Sequence, residues 1–173
     1  MTVAKLLSEA SQWLGSRGFP YNILKMKRDY PDWVETKARE VAKKVTHPSL
    51  LLVLGSGSIN KDMFSTLLCV NLYTLSSHNK LPSYVYSPDF NSYSEYGGQI
   101  IYMPHLDKVP KKQLEAVSSF VNRVTSAGNT IVAGVQSVDT LTSLYGESFI
   151  VQFQDRIKLV SLPDEEEIKL EEL

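Results

Sequence analysis

The stretch that decides the fold is SLLLVLGSGSINKDMFSTLLCVNLYTL, residues 49–75. The five residues after Ser49 are all apolar, which is typical of a strand covered on both faces in a parallel sheet. Residues 55–60, GSGSIN, are rich in turn formers and predict a loop. From Lys61 to His78 the apolar side chains recur at helical spacing. The stretch therefore predicts a strand, a glycine-containing loop and a helix in succession.

The alternation of strand and helix extends along the chain. Upstream, Pro31 and the apolar stripe after it predict a helix that ends at His47-Pro48. Ser137 is placed to cap a short helix that ends at Gly146. The other predicted elements are strands at 83–87 (SYVYS), 99–103 (QIIYM) and 130–135 (TIVAGV), one or two strands in FIVQF (149–153) and RIKLVSL (156–162), and a helix at 110–127. This order predicts an α/β fold with three layers, a mostly parallel sheet of about five strands with helices on both faces.

The chain divides into three predicted parts. Residues 1–30 hold an N-terminal helix and a connector, and residues 31–162 form the α/β domain. Residues 163–173 are called the acidic segment here, because they carry six of the 19 acidic residues: Asp164, Glu165, Glu166, Glu167, Glu171 and Glu172. Such a run is usually a solvated end, and the alternative is a docking tail or an electrostatic cover for a basic face.

The composition indicates a globular protein of the cytoplasm, or of the nucleus if the source is eukaryotic. A hydrophobic content of 43% in 173 residues is enough for a substantial core. The longest apolar run, residues 50–54, is far too short to span a bilayer, and the N-terminus lacks the apolar stretch of a secretion signal. Cys69 is the single cysteine, and its apolar neighbours predict a buried side chain.

The loop after the first strand is where the sequence predicts a ligand, because ligands bind at the carboxyl ends of parallel strands. Gly55 and Lys61 have the spacing of the phosphate-binding pattern G-x-x-x-x-G-K-[ST]. Asn60 replaces the second glycine of that pattern, and Asp62 replaces the hydroxyl residue that ligates Mg²⁺. The vestigial nucleotide-binding positions are Gly55, Ser56, Gly57, Ser58, Lys61 and Asp62.

A nucleotide hydrolase also needs an acidic pair at the end of a neighbouring strand, where it holds Mg²⁺ and orients water. After QIIYM the chain has Pro104 and His105 at these positions, and Asp107 comes three residues late. Two independent parts of a nucleotide site are thus altered together. We predict no catalytic residue, no metal site and no cofactor, and retained binding of ATP with Mg²⁺ is the alternative.

The order of these motifs resembles the AAA+ replicative-helicase loaders of the DnaC/DnaI type, over residues 30–162. In this likeness the stretch 49–75 is similar to their Walker A unit, and QIIYMPHLDKV to their Walker B strand. LTSLYGESFIVQFQDRIKLVSL is similar to the stretch that leads to their last strand. The resemblance implies a P-loop NTPase core of the AAA+ type without a lid domain.

The resemblance can be carried over residue by residue. Gly55 and Lys61 fall on the phosphate-loop positions of the family. Val135 or Gln136 falls where the family has the polar sensor residue. Arg156 is similar to an arginine that those loaders carry before the last strand.

The resemblance and the altered motifs together imply a catalytically inactive adaptor in DNA replication. The expected partner is a replicative helicase or a related AAA+ ATPase, in a hetero-oligomer. Nucleic acid is a weaker expectation, since the chain outside the acidic segment is mildly basic, and no membrane contact is expected. The side chains predicted to face the partner are Trp13, Phe19, Tyr21, Ile23 and Arg156.

Three other hypotheses stay open. One is a RecA-like pseudo-ATPase that acts as a scaffold in a recombination complex or another hetero-oligomer. Topology is the discriminator, because an initiator-type domain places one strand between the Walker A and Walker B strands, and the chain allows about one, at 83–87. Another is a nucleotide-binding switch with weak ATPase activity. The last is an enzyme in which His105, Asp107 and Asp89 converge, although their spacing matches no known triad or metal site.

Overall fold

The structure, a computed structural model, describes residues 32–45, 48–55, 58–75, 83–84 and 100–162. Two short 3₁₀ turns, Leu106–Lys108 and Lys111–Gln113, lie between the third strand and the third helix. Residues 1–30 and the acidic segment lie outside the described residues. The helices and strands are, in chain order, α1 (Asp32–Lys44), β1 (Leu50–Leu54), α2 (Ser58–Leu75), β2 (Ser83–Tyr84), β3 (Ile100–Met103), α3 (Leu114–Ser126), β4 (Thr130–Val135), α4 (Val138–Tyr145), α5 (Glu147–Gln152) and β5 (Ile157–Ser161).

The five strands form one sheet in the order β2-β3-β4-β1-β5, and every neighbouring pair is parallel. In the register of the sheet, Leu50 of β1 is opposite Ile131 of β4 and Ile157 of β5. β4 lies between β1 and β3, whereas the strand predicted at 83–87 is represented by β2 at the edge. The difference arises because each parallel connection crosses over a face of the sheet, so neighbours in sequence need not be neighbours in the sheet.

Side chains of the central strands alternate between two cores, one on each face of the sheet. Leu51 and Val53 belong to the core under α1 and α2. Leu50 and Leu52 belong to the core under α3, α4 and α5. Helices therefore cover both faces, and this confirms the predicted three-layer α/β fold with a parallel sheet of about five strands.

α1 and α2 cover the same face of the sheet in different ways. α1 buries Val34, Ala38 and Ala42, which recur at helical spacing along one side of the helix. α2 is buried at every position from 64 to 72, because it lies between α1 and the sheet. Cys69 is fully buried there, as predicted, and its burial raises the pKa of the thiol. No helix within the described ranges is long and apolar enough to cross a membrane.

The segment FIVQF is helical through residue 152, so its prediction as a strand is wrong. Tyr145 is the last residue of α4, Phe149 lies in α5, and Phe153 is the C-cap of α5. The ring centroid of Phe149 is 4.5 Å from that of Tyr145 and 4.9 Å from that of Phe153. This aromatic packing outweighs the strand preference of the two β-branched residues in the segment.

Candidate functional site

Three connections lie at the carboxyl edge of the sheet, where the sequence predicts the ligand site. The first joins β1 to α2 at residues 55–57, the second follows β3 at 104–108, and the third joins β4 to α4 at 136–137. Because all the strands are parallel, these connections share one edge. The candidate site is built from the side chains and backbone groups that these connections and the start of α2 provide.

The connection between β1 and α2 is shorter than the sequence predicts. α2 begins at Ser58, so the predicted loop over 55–60 is wrong for Ser58, Ile59 and Asn60, which are helical. In the phosphate-binding pattern, the glycine before the lysine permits backbone conformations that other residues avoid. Asn60 takes a helical conformation instead, and no described non-glycine residue has a positive φ.

The other four predicted positions of the site are described only by their backbone or not at all. Ser56 and Gly57 lie outside the described residues. Ser58 and Asp62 are placed in α2 by their backbone. The described part of the vestigial site therefore rests on Gly55 and Lys61.

Lys61 lies near the start of α2, and its side chain is directed inward with an exposed fraction of 7%. A Cβ placed on Gly134 of β4 would lie 3.6 Å from the Cε of Lys61. The same Cβ would overlap the carbonyl oxygen of Pro104, the residue after β3. Gly134 thus makes room for the stem of Lys61 and for the backbone at the end of β3. A buried charge needs a partner, and Lys61 is not free within the molecule.

Gly55 is held by backbone hydrogen bonds at the end of β1. Its N–H donates to the carbonyl oxygen of Val135 at 3.2 Å, and the N–H of Leu162 donates to the carbonyl of Leu54 at 2.9 Å. A Cβ on Gly55 would lie 3.6 Å from the Cβ of Leu162, which is an ordinary contact. The described surroundings of Gly55 therefore have space for a side chain.

Asp107 fastens the turn after β3 to the start of α4. Its Oδ2 accepts hydrogen bonds from the backbone N–H of Gln136 and from the hydroxyl of Thr140, each at 2.8 Å. Thr140 and Ser137 form a reciprocal capping box, in which each side chain accepts from the backbone N–H of the other. A carboxylate at this end of a helix also interacts favourably with the positive end of the helix dipole. The geometry gives Asp107 a structural role at the N-terminus of α4.

The residues around Asp107 make further hydrogen bonds that hold the turn after β3 in place. Pro104 is buried and His105 is half-buried, and the carbonyl of His105 accepts a hydrogen bond from the N–H of Lys108 at 3.1 Å. The hydroxyl of Tyr145 donates to the carbonyl of Leu106 at 2.8 Å. Burial raises the pKa of Tyr145, and the charge of Asp107 raises it further. Tyr145 therefore stays a neutral donor over the physiological range.

Arg156 was predicted to face a partner, and the structure places its guanidinium against α3. Its Nη1 donates to Asn122 Oδ1 and Thr125 Oγ1 at 3.0 Å and to Ser126 Oγ at 3.1 Å. Its Cζ lies 5.8 Å from the ring centroid of Phe153. These contacts join the turn before β5 to the C-terminal end of α3, so a partner would meet a guanidinium that is already engaged.

The other predicted partner-facing residues, Trp13, Phe19, Tyr21 and Ile23, lie outside the described residues. Asp89, a member of the alternative enzyme site, also lies outside them. Within the described ranges, no group of three or more His, Cys, Asp and Glu side chains is placed to hold a metal ion.

Two residues that shape the site were not predicted from the sequence. Gly134 is recognisable as an isolated glycine inside a strand, which often marks a close approach of another backbone. Thr140 carries a local signal, since it is the third residue after the predicted cap Ser137. Ser137 and Gly146 are confirmed as the N-cap and C-cap of α4.

The comparison with solved structures finds a distant structural likeness. No family model matches the chain, and no curated protein matches it. The chain is similar to the crystal structure of Saccharomyces cerevisiae RIF2, with a TM-score of 0.48 and 12% sequence identity over 95% of this chain. The match spans 64% of that solved chain. So distant a likeness assigns neither a family nor a function.

Proposed function

We propose that this chain is a P-loop-like adaptor that does not hydrolyse nucleotide and acts by binding a protein partner. The resemblance to helicase loaders suggests a replicative helicase, or a related AAA+ ATPase, as that partner in DNA replication. The observation that carries the proposal is the fastening of Asp107 to α4, at the edge where a hydrolase needs a carboxylate for Mg²⁺.

The residues that follow β3 support a structural role for this strand end and not a role in nucleotide hydrolysis. A P-loop ATPase uses carboxylates at this strand end to hold Mg²⁺ and position the attacking water. Here Pro104 and His105 follow the strand directly, and Asp107 is turned to the N-H of Gln136 and the hydroxyl of Thr140. A carboxylate bound in this way stabilises the connection between β3 and α4.

The burial of Lys61 supports the same conclusion. The lysine of a working phosphate loop reaches the β- and γ-phosphates of the nucleotide. Lys61 has an exposed fraction of 7% and its Cε lies next to Gly134, so the side chain is packed into the protein. This burial supports a structural role for the lysine.

The sheet order supports a loader-like core. One strand, β4, lies between β1, which precedes the glycine-containing turn, and β3, which precedes the Asp107 turn. The initiator-type hypothesis also requires one strand there, although the sequence predicts it from residues 83–87, which form the edge strand β2. A domain that acts by binding other proteins is expected to keep the strand order of its core even where its ligand-binding residues have changed.

The nucleotide part of the proposal is tested by thermal melts of the full chain with and without millimolar Mg-ATP and Mg-ADP. A ligand at about 100 times its Kd raises the free energy of unfolding by about 2.7 kcal/mol, which a melt detects. We expect no rise in Tm. A rise that Lys61→Met abolishes, and that the exposed-site control Lys111→Met leaves intact, would contradict the proposal and support the nucleotide-switch alternative.

The partner part is tested by mixing the full chain with the purified replicative helicase of the same source. Size-exclusion chromatography with light scattering should show a complex that forms equally with and without nucleotide. Separate elution at micromolar concentrations would exclude the helicase as a stable partner. Co-elution with a recombinase instead would favour the RecA-like scaffold.

A further inference from the structure

A cleft of about 280 Å³ lies between α1 and β5, on the edge of the sheet away from β2. Among the described residues its charged lining is Lys37, Lys44 and Lys158, with no carboxylate beside them. Apolar side chains, among them Val45 and Leu51, complete its lining. We refer to it as the lysine cleft. Its charge and its apolar surface together suit an acidic segment that also carries apolar side chains.

The lysines of the cleft have little compensation within the described part of the chain. No described carboxylate lies within ion-pair distance of Lys44 or Lys158, while Lys37 donates to the carbonyl oxygen of Ser161 at 2.7 Å. Like charges that line one cleft repel one another, and an opposite charge placed among them relieves that repulsion. The cleft therefore attracts an anionic occupant.

The outer edge of β5 borders the same cleft. The N–H of Leu162 donates to the carbonyl of Leu54 in β1. Because the bonding groups alternate along a strand, those of Leu159 and Ser161 face away from β1, and the contact from Lys37 to Ser161 agrees with this. The exposed fraction of Leu159 is 55%. Natural sheets protect such edges, since an open edge invites pairing with another chain.

We propose that the acidic segment (163–173) of this chain occupies the lysine cleft and covers the outer edge of β5. Its charge is complementary, because residues 164–167 are four consecutive carboxylates. Its apolar residues fit as well, since Ile168 and Leu170 are two apart and lie on one face of an extended chain.

The connection is short enough for this arrangement. Lys37 contacts Ser161 at the end of β5, and the acidic segment begins two residues later. An extended chain advances about 3.3 Å per residue, so four residues such as 164–167 would span about 13 Å if the chain reversed direction after β5. The strand from Ser161 back to Lys158 covers about 10 Å at the same rise. The four carboxylates can therefore reach along β5 from Lys37, at Ser161, to Lys158.

The proposal is tested in the full chain with a nitroxide spin label on Glu167→Cys. Cys69 is fully buried, so the label reacts with the introduced thiol. At low salt we expect paramagnetic broadening of the amide signals of Lys44 and Val45, which are distant from the label along the chain and line the cleft. At about 1 M NaCl, where the Debye length is about 3 Å, the broadening should be largely lost.

The matched variants are two charge reversals of equal size. Lys44→Glu with Lys158→Glu should abolish the broadening at low salt, whereas Lys111→Glu with Lys112→Glu, on exposed lysines of a 3₁₀ turn, should leave it unchanged. An amide spectrum with native dispersion shows that each variant is folded. Absence of broadening in the native background at low salt, or equal broadening in both reversals, would overturn the proposal.

A mixed sample separates contact within a chain from contact between copies. Spin-labelled chain without ¹⁵N is mixed with ¹⁵N-labelled chain that carries no label. We expect no broadening in this mixture. Broadening there would show that the cleft binds the acidic segment of a second copy, and the proposal of an intramolecular cover would be wrong.

Discussion

At the scale of residues, Gly134 determines how closely the end of β3 approaches β4. A Cβ at this position would overlap the carbonyl oxygen of Pro104 and lie 3.2 Å from its carbonyl carbon. We predict that Gly134→Ala lowers the free energy of unfolding by about 1–3 kcal/mol, because two backbones must separate to admit the methyl group. Urea denaturation followed by circular dichroism measures the loss.

Gly55→Ala is the matched control for this prediction. The nearest atom that its Cβ would meet is the Cβ of Leu162 at 3.6 Å, an ordinary contact. Its effect on stability should be well below that of Gly134→Ala. Equal effects of the two substitutions would show that the approach of Pro104 to β4 is not what constrains position 134.

Tyr145 gives a prediction for alkaline pH. Burial and the charge of Asp107 raise the pKa of Tyr145 above its ordinary value of about 10. Below about pH 10 both the folded and the unfolded states keep the proton, and above it the unfolded state loses the proton first. The stability that Tyr145 contributes is therefore complete at neutral pH and declines as the pH rises past about 10.

Tyr145→Phe tests this dependence. At pH 7 the variant should be less stable by about 1 kcal/mol, because the hydrogen bond to the carbonyl of Leu106 is lost. The difference between native chain and variant should shrink above about pH 10 in urea titrations. A difference that stays constant across this range would show that Tyr145 does not titrate as its surroundings suggest.

The sequence predicts the site residues unequally, and distance along the chain is the reason. Gly55 and Lys61 are found from a local spacing, which a single segment carries. The partners of Asp107, namely Gln136 and Thr140, lie far from it in sequence and meet it because β3 and β4 are neighbours in the sheet. Hydrogen bonds between residues so far apart in sequence cannot be predicted before the strand order is known.

At the scale of elements, α4 depends on its capping box. Ser137→Ala removes the acceptor for the backbone N–H of Thr140 and should lower stability by about 1 kcal/mol. Ser143→Ala is the control, since Ser143 is exposed inside the same helix and alanine is a good helix former. Thermal melts should show a clear loss for the first and a change of less than about 0.5 kcal/mol for the second.

The elements that the sequence predicts best are those whose residue pattern is compatible with only one type of secondary structure. TIVAGV is a mostly apolar run of six residues and matches β4 residue for residue. FIVQF has the composition of a strand, yet it is helical through residue 152 and its rings pack against Tyr145 and one another, which composition alone does not reveal. The sequence predicts the start of α2 three residues late, because the turn formers before Lys61 favour a loop, whereas the helix begins at Ser58.

At the scale of the whole molecule, the two cores share one sheet and should unfold together. Ile100 belongs to the core under α1 and α2, and Ile131 to the core under α3 to α5. Ile→Val at either position should cost about 0.5–1.5 kcal/mol and shift one common transition. The double variant should lose the sum, because the two side chains lie in different cores.

Coincidence of probes checks this prediction. Circular dichroism and tryptophan fluorescence should give the same midpoint in urea for the native chain and for each variant. Two separate transitions, with Ile100→Val acting on one and Ile131→Val on the other, would show that the layers unfold independently.

The strand order has a consequence for how the protein is made on the ribosome. β1 lies between β4 and β5, and both of these strands come from the last third of the chain. During synthesis, the apolar run LLLVL therefore leaves the exit tunnel long before either of its hydrogen-bonding neighbours exists. Pairings between such distant segments form slowly, and an unpaired strand is prone to aggregation in the meantime. The nascent chain should thus depend on chaperones until residue 161 has emerged.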